Sequence, residues 1–208
     1  MRFTRTASAL ALAVLPLAVM AGDNGTVYTQ LGTNGLGIGY ATSVSKDWAV
    51  RGQYNALPKQ KFTGDVGDFG STAALTVEID WNSAQIVGDW YPMSDGFRLT
   101  GGVVFNNNKI TVTGTGTVGS TANSTVNAEV KMSDGVTPYL GLGYGVKPKA
   151  DKGLGFNFDL GVMFQNPKAS LTSSAAASET ASELRQMQDA VDKLKIFPVL
   201  SFGISYSF

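Results

Sequence analysis

The chain of 208 residues contains no cysteine and no histidine. Without cysteine there is no disulfide, no thiolate nucleophile and no thiolate metal site. Without histidine it lacks the one side chain that titrates unperturbed near neutral pH, so the usual general base is missing too. Charge is also sparse: 15% of residues are Asp, Glu, Lys or Arg, and the two signs balance at 16 each. No basic excess points to nucleic acid. Beyond the N-terminal region, no stretch is apolar enough for a transmembrane helix, which needs about 20 such residues. No paired-carboxylate motif stands out, and Asp65 and Asp68 sit in a polar loop where solvation explains them. The chain is expected to be neither an enzyme nor a holder of metal or cofactor.

What is present begins with Arg2 and Arg5, an apolar run from Ala9 to Met20, and the small-residue exit Val19-Met20-Ala21. Basic start, short apolar middle and small exit predict a secretory signal peptide over residues 1–21, leaving 22–208 as one domain. Removing Arg2 and Arg5 leaves 14 bases against 16 acids, a net charge of −2. An exported chain without a spanning helix can still cross a membrane as a closed barrel, which also satisfies every backbone polar group.

The last stretch, Pro198 to Phe208, is the clearest. Leu200, Phe202, Ile204, Tyr206 and Phe208 alternate with Ser201, Gly203, Ser205 and Ser207. Successive side chains of a strand point to opposite faces, so one face is apolar and the other small and polar. The same dyad pattern recurs at 27–31, 36–43, 48–55, 77–91, 97–106, from about Asn127 to Tyr144, and 154–165. In the stretch 77–91, Val77, Ile79 and Trp81 share one parity and Ile86 and Trp90 the other. A bulge near Asn82 and Ser83 would reconcile them. Pro138 is expected at an irregularity. These make eight strands, an even number that returns both ends to one side; one strand over 27–44 would instead make the count odd. Trp48, Trp90, Phe97, Tyr144, Phe156, Tyr206 and Phe208 fall near the strand ends of the short-turn side, the depth that amphipathic rings favour.

Three segments read as loops: 59–72, 107–125 and 166–195. The last carries a different period. Thr180-Ala-Ser-Glu183 forms a possible capping box, and Leu184, Met187, Val191 and Leu194 follow at helical spacing. An amphipathic helix near Thr180 to Lys195 is expected, packed on the barrel rim or acting as a plug or docking element.

Eight strands enclose a space that side chains can nearly fill. The inward parity holds Arg51, Asp89, Arg98 and Asp159 with Gln53, Gln85 and Tyr139. Two bases and two acids balance. An internal ion-pair network closing the lumen is one reading, and a narrow polar channel lined by the same groups is the other. The glycine runs Gly35-Leu-Gly-Ile-Gly39 and Gly141-Leu-Gly-Tyr-Gly145 alternate at period two with no helix following. They are strands with a small-residue inner face rather than phosphate loops.

Signal peptide, dyad strands, glycine-rich inner faces and the terminal Tyr206-Ser-Phe208 together resemble the small eight-stranded outer-membrane barrels of Gram-negative bacteria. These are the OmpA/OmpX-like, OmpW-like and opacity-protein-like group. The resemblance implies an all-β transmembrane barrel in the outer membrane, surrounded by its lipid. It also implies that Tyr206 and Phe208 serve as a membrane-insertion signal for the barrel-assembly machinery on the C-terminal strand. A non-enzymatic envelope or surface role through the loops follows, with an unnamed extracellular partner. The OmpW-like resemblance adds a porin-like passage for small, hydrophobic solutes as an alternative. Hydrolases and acyltransferases of similar architecture generally use a histidine, which this chain lacks.

Overall fold

The computed structural model describes residues 25–66, 73–93, 96–118, 121–148 and 152–208. The expected signal peptide and Asp68 lie outside them. Eleven strands run as β1 (Gly25–Gly32), β2 (Gly35–Ser43), β3 (Trp48–Val66), β4 (Ala73–Trp90), β5 (Phe97–Asn106), β6 (Lys109–Val118), β7 (Thr121–Lys131), β8 (Gly135–Tyr144), β9 (Gly153–Phe164), β10 (Lys168–Ser173) and β11 (Ile196–Ser207). A helix α1 (Ala177–Val191) and one 3-10 turn (Asp192–Leu194) separate β10 from β11.

Eight of these strands close a ring. β1, β2, β3, β4, β5, β8, β9 and β11 pair antiparallel in that order, and β11 returns to β1 from Thr26↔Ser207 to Gly32↔Ser201. The turn at Thr33–Asn34 separates β1 from β2, so the first hairpin is two strands and the even count holds. In β3 the ring portion is Trp48–Leu57, and β5 and β8 are 10 residues each. A tilted strand needs about 9–11 residues to cross a bilayer.

The remaining strands stand on top of the ring. The upper part of β3, Gln60–Val66, pairs with the upper part of β4, which pairs with β6, then β7, then β10. The three segments expected as loops therefore build most of a five-stranded sheet. β7 belongs to this upper sheet and β8 to the ring, so the strand expected from Asn127 to Tyr144 is two strands. Thr, Ser and Gly fill these segments, and their apolar partners are small (Ala128, Ala169) or few, which hides the alternation in the sequence. Pro138 interrupts nothing: it pairs with Val103 of β5, and the ladder to β9 starts only at Tyr139, where no donor from Pro138 is needed.

No bulge occurs at Asn82 and Ser83. β4 keeps one register with β5 and then β6, and the one shift with β3 lies between Leu57 and Gln60, on the β3 side. Val77, Ile79 and Trp81 keep the inward parity of Ser83, Gln85, Val87 and Asp89. What changes is what that face meets. Inside the ring it meets a polar interior. Above the ring, Phe62, Val77, Val112, Ala128 and Leu171 line up across the five strands as one apolar inner face. The outer face inverts in step: Leu99, Val103 and Phe105 in the ring give way to Thr111 and Thr113 above.

Helix α1 packs on this apolar inner face, mainly against β10 and secondarily against β6. Leu184, Met187 and Val191 are its half-buried stripe. Gln188 staples it, accepting from the Ala169 amide at 2.9 Å and donating to the Pro167 carbonyl at 3.1 Å. The helix thus sits against the rim sheet and not in the ring. Its start is Ala177 with Ala176 at the N-cap and no side-chain cap bond, so Thr180 does not open a capping box. The Thr180 hydroxyl instead donates back to the Ala176 carbonyl at 3.1 Å. Among the described residues no helix is long and apolar enough to cross a membrane.

Candidate functional site

The interior of the ring is built by period-two alternation. β3 turns Arg51, Gln53 and Asn55 inward, β4 turns Ser83, Gln85, Val87 and Asp89, β5 turns Arg98, Thr100 and Val104, and β9 turns Asn157, Asp159 and Met163. Four ionised groups meet low in this space. Arg51 reaches Asp89 through Nε, and through Nη2 donates to Asp89 Oδ1 at 3.1 Å and Asp159 Oδ1 at 3.2 Å. Arg98 Nη2 donates to Asp159 Oδ1 at 2.7 Å, and its Nε lies 3.6 Å from Asp89 Oδ1. Arg51, Arg98 and Asp89 are 0% exposed and Asp159 4%, so the pairs are dry.

Neutral groups add to the coordination, while Arg98 Nε and the Tyr28 hydroxyl are buried without a hydrogen-bond partner. Thr100 Oγ1 donates to Asp89 Oδ1 at 2.6 Å, Gln30 Nε2 donates to Asp159 Oδ2, and Arg98 Nη1 donates to the Gly145 carbonyl. The Tyr28 ring faces the Arg51 guanidinium at 5.6 Å. Charges out of water are tolerable when paired and hydrogen-bonded in this way; removing one partner from such a cluster typically costs about 3–5 kcal/mol. Gly143 makes the cluster possible. A Cβ there would lie 2.8 Å from Asp159 Oδ1 and 2.9 Å from Arg98 Cζ, where no methyl fits.

Above the ions runs a carboxamide ladder. Gln85 donates to Gln53 at 3.1 Å, Gln53 to Asn55 at 2.5 Å, and Asn55 to Ser83 at 3.3 Å. Tyr139, on the opposite wall, joins Val87, Val104, Met163 and Val199 in an apolar cluster against which Phe197 packs. Between ladder and cluster lies a void of about 10 Å³, lined in part by Gln30, Gln53, Tyr139 and Asp159. That is room for about one water molecule. Phe197, packed against the apolar cluster, lies with its ring centroid 6.1 Å from that of Trp81.

The structure brings Arg51, Asp89, Arg98 and Asp159 into one cluster. It sets Gln53 and Gln85 in the separate ladder, and Tyr139 in the apolar wall. Gln30, Thr100 and Tyr28 complete the cluster and carry the same inward parity, which was their only sequence signal. At the same end of the ring as the ion cluster, Tyr206 and Phe208 lie tilted with ring centroids 6.4 Å apart beside the β1–β11 seam, and Trp48 stacks on Trp90 at 6.3 Å. The outer surface of the ring between these rings and the upper sheet is apolar and open: Leu154 is 83% and Phe156 84% exposed. Among the described residues no group of acids forms a metal site.

A closed eight-stranded antiparallel barrel with an apolar outer belt, an aromatic girdle and a packed polar interior is the fold of the small outer-membrane barrels. Two solved structures from Acinetobacter baumannii share it. CarO2 superposes with a TM-score of 0.58 at 19% identity, covering 88% of this chain and 97% of that one. CarO gives 0.57 at 20% identity, covering 90% and 98%. At that identity the likeness is one of fold. No family model and no curated protein matches the chain.

Proposed function

We propose that the chain is a non-enzymatic, integral outer-membrane barrel of a Gram-negative bacterium. Its lumen is closed by side chains, and its contacts are made by the upper sheet and helix. The supporting observation is the combination of an exposed apolar belt with a dry Arg51–Asp89–Arg98–Asp159 plug. The belt calls for acyl chains to cover it, and the buried plug supports a lumen closed to water. Every ionised group in the interior is held by a partner, so none is free to move a proton for a substrate. The terminal β11, with Tyr206 and Phe208, serves as the docking strand for the barrel-assembly machinery in this reading.

The runner-up, a porin-like, OmpW-like passage for small hydrophobic solutes, draws on one feature. The apolar inner face of the upper sheet ends over the ring at Trp81 and Phe197. Planar-bilayer recording on purified protein separates the two. The closed-lumen reading expects a silent bilayer. Discrete, reproducible openings that disappear when the plug charges are altered would replace it with the channel.

A further inference from the structure

We infer that the outside of the barrel carries a binding site for the phosphorylated saccharide headgroup of a membrane lipid, at the level where ring passes into upper sheet. The inference rests on the outer-membrane reading above. The regular ladders are interrupted at this level, where single backbone bonds from Asn107 to Asn82 and from Met132 to Asn108 carry the wall across. The β5–β8 ladder ends at Asn106↔Gly135 and the β6–β7 ladder begins at Lys109↔Lys131. The gap is a cleft of about 470 Å³, with Asp80, Asn82, Asn107, Lys109, Lys131 and Asp134 on its walls.

Two independent features say what the cleft takes. The first is a row of like charge. Lys109 of β6 pairs in register with Lys131 of β7, which pairs in register with Lys168 of β10. Like charges directly opposite one another on neighbouring strands are destabilising. Glu129, 3.5 Å from Lys131, and Asp134, 2.6 Å from Lys168, answer two of the three, and the row keeps one positive charge in excess, which favours an anion from outside. Lys131 and Lys168 are 60% and 59% exposed. The row also has a height. The outward apolar series closes with Phe105 and Phe164, and Lys109 and Lys168 each follow four residues later. Four residues span about 13 Å along a strand, or about 10 Å along the axis at the usual tilt. The ammonium groups therefore stand where lipid phosphates stand.

The second feature is an unmet acceptor. Asn108, on the cleft wall, is 3% exposed, and its side-chain oxygen has no hydrogen-bond partner. Around it the walls offer carboxamides and two carboxylates, the groups that hydrogen-bond vicinal hydroxyls and amides of a sugar. Asp80 and Asp134 are already charge-matched by Lys59 at 2.9 Å and Lys168 at 2.6 Å, so they can accept from hydroxyls without repelling phosphate outright. Phosphate alone would use the lysines and leave the rest of the cleft unused. A phosphorylated saccharide uses both.

The test is lipid retention by full-length protein reconstituted in phosphatidylethanolamine vesicles. The vesicles carry a minor fraction of either lipid A, a phosphorylated glucosamine disaccharide lipid, or phosphatidylglycerol. Co-purifying lipid is read by native mass spectrometry. Lipid A should be enriched over phosphatidylglycerol. The K109Q/K131Q double variant should lose that enrichment by about twentyfold, at roughly a factor of five per lysine, while K61Q, elsewhere on the upper sheet, should keep it. Raising salt should release lipid A from the unaltered protein, which tests the charge contribution even if the double variant fails to assemble. Equal retention of the two lipids, or enrichment indifferent to both salt and K109Q/K131Q, overturns the inference. So does full competition by soluble glucosamine 1-phosphate at matched concentration, which would make the ligand a free sugar phosphate. Failure to insert into phosphatidylethanolamine vesicles at all would instead overturn the membrane reading beneath it.

Discussion

The ring and the upper sheet share the two long strands β3 and β4, yet their two faces are exchanged. In the ring, Ile86, Val103 and Phe105 point out and Asp89, Arg51 and Gln85 point in. A few residues higher, on β4 and on its upper neighbour β6, Val77, Ile79 and Val112 point in and Glu78, Thr111 and Thr113 point out. Strand geometry is indifferent to this exchange, since it dictates only that neighbours alternate. The surroundings decide which face carries carbon. On the outer-membrane reading proposed above, the outside of the ring is lipid and the polar groups retreat inward to pair with one another; the outside of the upper sheet is water, so they move out and the apolar face turns in to meet helix α1. The exchange occurs without a register slip in β4, and on that reading it marks the edge of the membrane more directly than any turn does.

The largest expected effect tests the inside of the ring. Arg98→Ala leaves Asp159 and Asp89 short of a partner in a dry interior and should lower stability by about 3 kcal/mol or more. Urea unfolding from lipid vesicles measures it, and an unchanged midpoint would mean the cluster is not holding the ring. Next comes the outside of the ring. Ile86→Lys places an ammonium in the belt and should cost about 2–4 kcal/mol near the bilayer midplane. The same chemistry at Ile79 breaks the comparison if it behaves alike. Ile79→Lys should open the upper sheet to protease while the ring keeps its unfolding midpoint. Thr111→Lys, on the watery face, should stay within about 0.5 kcal/mol of the unaltered protein.

The smallest effect concerns Asp80, above the belt. The hydrogen bond from Lys59, first among its influences, holds its carboxyl below the ordinary value of 3.8. A depressed carboxylate favours the folded state above its unfolded pKa, and that contribution is lost as pH falls through the folded pKa. Its titration, followed by NMR in detergent, should move back up on Lys59→Met. An unmoved Asp80 would remove the pair.

The ring was readable from the sequence because its strands alternate with few exceptions, as a face turned to lipid would demand. Leu200 to Phe208 alternates without a break, and the parity that put Arg51, Asp89, Arg98 and Asp159 inside needed no more than counting by two. The upper sheet was not readable as a sheet. Its outward residues are Thr, Ser, Asn, Lys and Glu, which solvated loops also carry, and inner positions such as Gly114, Ala128 and Ala169 are too small to announce a core. The exchanged faces of β4 look like a bulge in one dimension because a slip and a change of surroundings leave the same trace in parity. Gln53 and Gln85 fell on the expected face, but that they bond each other and not the ions depends on side-chain length and height, which alternation does not encode.

The seam between β1 and β11 carries a last consequence. Its partners, such as Thr26 and Ser207 with hydroxyls 2.9 Å apart, lie 181 positions apart in the chain. Nothing shorter than the whole ring can join them, so the ring has no partly closed form with satisfied edges. Until β11 arrives, β1 and β9 each present an open row of amides and carbonyls, to lipid or to one another's copies. Assembly is a single late event, and a cell making this protein must shield an unfinished, sticky ribbon until that event occurs.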